Sequence, residues 1–259
     1  MQDKHLRPDG ALSLEPCDIV AFTAHPDDME LNVSGTLALA VRQGWKAVAV
    51  DFSRGELSTR GTPELRAEEA RNSAQVLGLS CRYNLALPDG HIRDTDEARK
   101  LVVRVLRQLR AKVVIAPPLQ DHHPDHMGVA EIVSRSMHLA GVAKYEPGQE
   151  PWRPHVLLHY IGSLPAVPDL VVDITGVYEI RKQSILCYAS QFHKEGTDEP
   201  PTRISHPNFL DAIEGTARKY GKLIGAAYGE AYTCPLPVPV TDIVSLYLKP
   251  PWEFPKRES

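Results

Sequence analysis

The sequence predicts an α/β domain in which a mostly parallel sheet is flanked by helices. Three observations predict it. Apolar, partly β-branched runs at residues 19–22, 45–52 and 112–116 have the length of buried strands and not of helices. Segments with helical spacing separate them, and the resulting strand, helix, strand order builds parallel sheets. Two clusters, AHPDD at residues 24–28 and HHPDH at residues 122–126, each follow such a run, and open α/β sheets bind ligands beyond the C-terminal ends of their strands.

Taken in order, residues 1–16 are polar and broken by Pro8, Gly10 and Pro16, which predicts a flexible extension before one domain spanning 17–259. After AHPDD, residues 30–42 carry Leu31, Leu37, Leu39, Ala40 and Val41 and stop at Gly44, a helix with a glycine end. A strand over 45–52 follows, and then a loop rich in Gly, Ser and Thr. Thr62 as N-cap and Pro63 at the first helical position open a helix that runs to Leu77 and closes at Gly78. A short strand is expected at 82–85, then the loop LPDGHIRD. Residues 94–110 place Leu101, Val102, Val105, Leu106 and Leu109 on one side, a surface helix. Pro117 and Pro118 stop the strand at 112–116. Helices are expected at 127–139, 176–189 and 209–224, the last closed by GKLIGAAYGEAY, and strands at 155–160 and 170–172. The proline-rich tail from Cys234 is apolar in its middle, so it is expected to pack on a neighbouring subunit or to wrap its own.

The chain has 259 residues, 42% hydrophobic and 24% charged, with net charge -4 and a sequence pI near 6.3. Its positive residues are scattered, which argues against nucleic acid or an anionic membrane as partner. No secretory leader opens it, and no run approaches the ~18 apolar residues that span a bilayer. A cytoplasmic protein is expected. Cys17, Cys81, Cys187 and Cys234 lack paired spacing and read as reduced, mostly buried hydrophobes.

The two clusters hold the chemistry. A catalytic zinc site takes three protein ligands and keeps one position open. His25, Asp28 and His126 supply two imidazoles and a carboxylate, while Asp27, the adjacent carboxylate, is placed to act as general base. A metal so held lowers the pKa of water from ~15.7 to ~7 and polarises the carbonyl to be attacked. His123 is the candidate general acid or oxyanion stabiliser, with Asp125 between the two histidines to orient one of the rings. Such a ligand set accepts ferrous iron as well as zinc.

AHPDD followed by HPDH resembles the PIG-L/LmbE-like family of zinc-dependent N-acetylglucosamine deacetylases. GELSTRGTPELRAEEA, NLALPDG, CYASQF and IGAAYGEAY are similar to its branch that makes bacillithiol, so the resemblance covers residues 17–247. It implies a Rossmann-like fold and removal of the N-acetyl group from N-acetylglucosaminyl malate, in a homo-oligomer, a trimer or hexamer. It also implies that Asp125 orients His123. Arg66, in ELRAEEA, falls where the family holds sugar hydroxyls or carboxylates; otherwise it would be an exposed helix charge paired with Glu68 or Glu69. Asp89, in LPDG, would accept from sugar hydroxyls or simply make a turn. Glu56 and Gln191 read as loop or helix contacts.

Two departures bear on mechanism. His122 stands where that branch has arginine, and Asp121 where the mycothiol branch has a tyrosine, so tyrosine assistance is not expected. EGTARKYG also replaces a more arginine-rich EARAR pattern. The rival readings are a deacetylase or amidase of another acetylated sugar or thiol S-conjugate, and a non-catalytic sugar-nucleotide-binding protein. Against the last, the first turn is AHPDD and not GxGxxG, so phosphates would meet carboxylates instead of backbone N–H groups.

Overall fold

The computed structural model describes residues 14–192, 198 and 200–244. Five strands, β1 (Ile19–Thr23), β2 (Ala47–Asp51), β3 (Cys81–Asn84), β4 (Val113–Ala116) and β5 (Val156–Tyr160), run parallel in the order β3-β2-β1-β4-β5. Beyond β5 come β7 (Gly229–Thr233), antiparallel to it, and β6 (Leu170–Asp173) at the edge of the seven-stranded sheet. The order reverses at β1, whose neighbours are β2 and β4. The loops leaving β1 and β4 therefore diverge over a crevice at one end of the sheet.

Period-two alternation sends neighbouring residues of each strand to opposite faces. Val20, Phe22, Val48, Val50 and Val114 meet α4 (Asp96–Leu109) and α5 (Pro124–Leu139) on one face. Ile19, Ala21, Ala49 and Ile115 meet α1 (Asp28–Asn32) and α2 (Ser34–Arg42) on the other, with α3 (Pro63–Leu77), α6 (Tyr178–Leu186) and α7 (Phe209–Leu223) completing that layer. Both faces are covered, which is why the strands read as continuous apolar runs.

The helix over 63–77 forms as expected: the Thr62 side chain accepts from Leu65 N at 3.2 Å, and Gly78 ends it at φ 69°. Three other expectations change. The helix expected over 30–42 is two, α1 and α2, broken at Val33 (φ −138°, ψ 0°). The cause lies far away in sequence. Glu230 on β7 accepts from Gly35 N at 2.9 Å, Thr36 N at 2.7 Å and Thr36 Oγ1 at 2.7 Å, so a distant carboxylate caps the start of α2. Second, GEAYT does not close α7. It is the strand β7, which carries this buried glutamate despite the low strand propensity of Gly and Glu. Third, α5 starts at Pro124 and not at 127, with His123 as its N-cap. HPDH thus turns into the helix instead of preceding it.

Leu14 is already buried, and its N–H donates to Gln108 Oε1 at 3.2 Å. The rest of the N-terminal extension, and the tail beyond 244, lie outside the described residues. Within the described part of the tail, Leu236, Val238, Val240, Ile243 and Val244 are exposed. All four cysteines are free thiols. No helix among the described residues is long and apolar enough to cross a membrane.

Glu230 also pairs with Arg181 Nε at 3.0 Å, and both side chains are buried. Glu230→Ala strands that guanidinium and the N–H groups of α2, so the unfolding free energy falls by about 3–5 kcal/mol. Urea denaturation measures it; a loss below about 1 kcal/mol, the worth of an ordinary helix cap, would show that the cap is not used.

Candidate active site

β1 delivers AHPDD and its parallel neighbour β4 delivers HHPDH to the same end of the sheet. Asp28, the first residue of α1, stands between two rings. Its Oδ2 lies 3.3 Å from His25 Nδ1, and its Oδ1 lies 3.2 Å from His126 Nε2. His123 stacks on His126 with centroids 4.8 Å apart and meets His25 edge-on at 4.7 Å. Ring nitrogens of His25, His123 and His126 all lie within 4.8 Å of one another.

Carboxylates hold the far sides of these rings. His25 Nε2 faces Asp125 Oδ2 at 3.2 Å and Asp89 Oδ1 at 3.1 Å. Asp125 is itself fixed by Gly90 N at 2.7 Å and Ile92 N at 3.1 Å, and Asp89 by Leu57 N at 2.8 Å. A Cβ on Gly128 would come 2.2 Å from Ile92 O, so glycine is what lets α5 approach this loop. His126 Nδ1 faces Asp121 Oδ2 at 3.2 Å, while Asp121 Oδ1 accepts from His123 N at 3.1 Å.

These partners set the tautomers. His25 must carry its proton on Nε2 and His126 on Nδ1, which leaves both remaining lone pairs facing the Asp28 carboxylate. Such a convergence is satisfied only by further protons or by a cation. With protons alone, burial works to lower both rings, but Asp125, Asp28 and Asp89 hold His25 well above the usual range. Asp28 and Asp121 likewise outweigh burial at His126 and push it up to about 10. Burial would raise Asp28, yet His126 and His25 hold it well below the usual range. Two imidazole lone pairs and one carboxylate suit a zinc-like divalent ion, and the carboxylates behind the rings are the partners that metal-bound histidines use.

Asp27 is buried beside this set and is pushed up to about 7 by burial, against the opposing charge of Arg66 and with repulsion from Asp28. His123 accepts at Nδ1 from Asp125 N at 3.3 Å, which leaves its proton on Nε2. Burial, then His25 and His126, lower its pKa. A neutral ring with one donor is the state this environment favours.

The eight residues singled out from the sequence, His25, Asp27, Asp28, Arg66, Asp89, His123, Asp125 and His126, gather in one place, but some contacts differ from expectation. The Asp125 carboxylate is on His25 and not on His123, which it meets only through its backbone N–H, because the first turn of α5 points the side chain toward the 88–92 loop. Arg66 is not an exposed charge paired with a helix neighbour. Its Nη2 lies 2.9 Å from Asp27 Oδ2, while Glu69 accepts from Ser190 N and Oγ, both at 2.8 Å. Glu56 pairs with Arg54, and Gln191 ties to Arg60 O at 2.9 Å. Sequence reasoning missed Asp121 as the partner of His126; an acid five residues before the second histidine was the available signal. It also missed Arg181 and Glu230, whose pairing no local pattern announces.

A cavity of about 670 Å³ opens above the cluster, within the size range of small-ligand sites. Asp27, Asp28, His123 and His126 line its floor, one face of α7 (Phe209, Ile213, Ala217, Tyr220) lines a wall, and His122 and Arg203 also border it. Arg203 Nη1 lies 3.4 Å from His122 Nε2.

Asp121→Ala removes the acceptor that fixes the His126 tautomer, and the affinity for a divalent metal ion is expected to fall about 10–100-fold. Calorimetric titration of the metal-stripped protein measures it, and an unchanged affinity would remove Asp121 from the support of that ring.

Residues 20–137 match the family model described as PIG-L: GlcNAc-PI de-N-acetylase. A diacetylchitobiose deacetylase of Thermococcus kodakarensis is 26% identical over 229 residues, covering 82% of this chain and 80% of its own. A 1D-myo-inositol 2-acetamido-2-deoxy-alpha-D-glucopyranoside deacetylase of Rhodococcus jostii is 25% identical over 232 residues, covering 65% and 79%. Among solved structures, the conserved protein TT1542 from Thermus thermophilus is 35% identical with a TM-score of 0.80, covering 88% of this chain and 98% of that one.

Proposed function

Since the chain belongs to the PIG-L family, we propose that it is a metal-dependent deacetylase of an N-acetylated amino sugar. The observation that carries this reading is the convergence of His25, Asp28 and His126, with lone pairs fixed by outer carboxylates, beside a buried Asp27 on the cavity floor. His25, Asp28 and His126 would hold zinc or ferrous iron. The metal, when bound, supplies a water of lowered pKa and polarises the acetyl carbonyl.

The chain's own groups complete the reaction. Asp27, near 7, takes the proton of the attacking water, since a general base works best with its pKa close to the working pH. The Nε2–H of His123 donates to the carbonyl oxygen as it gains negative charge, a contact of the oxyanion-hole type. As the C–N bond breaks, the proton held by Asp27 passes to the leaving nitrogen, and acetate and the free amine result.

The finer reading is that the substrate is N-acetylglucosaminyl malate. The motif resemblance supports it, and Arg203, next to His122 beside the cavity, offers a cationic hydrogen-bond donor suited to carboxylates. Acetate release from N-acetylglucosaminyl malate, diacetylchitobiose and free N-acetylglucosamine tests it. The malate adduct should be turned over fastest, and equal rates on all three would sink that assignment.

Asp27→Ala should keep the metal and lose about 10²–10⁴-fold in kcat, the usual size of a general-base contribution. His126→Ala should lose metal and turnover together. Metal analysis beside the acetate assay separates the two, and an Asp27→Ala enzyme with wild-type turnover would refute the general-base role.

A further inference from the structure

We propose that Arg66 is a positioning residue for Asp27: it clamps the strained backbone of that residue and aims its carboxylate into the cavity, in place of the sugar contact that the family resemblance implies. Asp27 lies at φ 107°, ψ −29°, a left-handed conformation that non-glycine residues avoid and that persists only where the surroundings over-determine it. The strain has a purpose in the geometry. Two consecutive aspartates must serve different tasks, and the reversed backbone at Asp27 lets Asp28 open α1 between two imidazoles while Asp27 turns elsewhere.

Arg66 supplies the restraint. From α3, its Nη2 lies 2.9 Å from Asp27 Oδ2 and also donates to the carbonyl of Pro26. One nitrogen therefore bridges the side chain of the strained residue and the peptide just before it. The guanidinium borders the cavity, yet Arg66 is only 4% exposed. Space for it is reserved by Gly55, which sits at φ 73° and where a Cβ would come 2.5 Å from Arg66 Nη1. Both contacts come from Nη2, at the far end of a rigid planar group; a lysine ammonium, one bond shorter and on a flexible stem, does not hold a donor at that point.

The kinetic part of the test rests on the deacetylase reading. Arg66→Ala lowers kcat about 100-fold, the effect of displacing a reacting group by about 1 Å, and leaves KM within about threefold. Arg66→Lys keeps the charge and recovers little of the loss. Added guanidine at millimolar concentration restores part of kcat in Arg66→Ala. In the Asp27→Asn background, Arg66→Ala costs no further activity, because its effect runs through Asp27. A KM raised about tenfold or more with kcat kept would assign Arg66 to the substrate and overturn the proposal.

A second readout needs no activity. Arg66→Ala strands a buried carboxylate, so the Arg66→Ala/Asp27→Asn double variant melts at a higher temperature than Arg66→Ala alone. A double variant no more stable than the single overturns the clamp, whatever the substrate. Wild-type protein that releases no acetate while this stability difference holds would refute the deacetylase reading and leave the clamp standing.

Discussion

The site depends on one bridge, the Asp28 carboxylate between His25 and His126. His25 reaches it within its own loop, three residues away, but His126 comes from a loop on the other side of a crossover and no local structure could bring it there. The bridge exists because β1 and β4 pair directly in parallel register, so both loops emerge at the same height of the sheet. Asp28 is also the first residue of α1, where the helix favours negative charge on its opening turn. The same carboxylate is thus held by its helix and shared by two imidazoles.

Behind the site, burial of charge is managed by pairing. Glu30, on α1, accepts from Ser73 and Arg82, and Arg82 Nε reaches Asp51 Oδ2 at 2.7 Å at the end of β2. Thr23, at the end of β1, donates to the same Asp51 at 2.9 Å. Such buried pairs contribute little net stability once desolvation is counted, and removing one partner is costly. Their consequence is geometric: α1, β2 and β3 are locked in one relative placement, and α1 carries the first cluster. Arg66 with Asp27, and Arg181 with Glu230, repeat the arrangement on either side of α1. The segment that bears the candidate metal ligand and the candidate base is therefore tied down by guanidinium groups from three separate elements.

Much of this was legible in the residues. The parallel strands were visible as apolar runs because both faces of the sheet are covered, and α3 was visible because Thr62, Pro63 and Gly78 are local signals of its ends. The two histidine-aspartate clusters could be placed together because strand ends in such a sheet share one side. What escaped had no local signature. Val33 interrupts a sequence with good helical periodicity because Glu230, from the far end of the chain, accepts the N–H groups that start α2. GEAYT looks too polar and too glycine-rich for a strand until its glutamate is seen to have buried partners.

By itself, then, the sequence determined the α/β class, the candidate His and Asp donors and the end of the sheet on which those residues lie, because residue type, period and turn chemistry are local properties. Only the tertiary structure decided which carboxylate serves which ring. Asp125 turned to His25, Asp121 to His126 and Arg66 to Asp27. Those assignments depend on directions of side chains across loops distant in sequence, and on the pressure to pair every buried charge, which no spacing within one segment encodes.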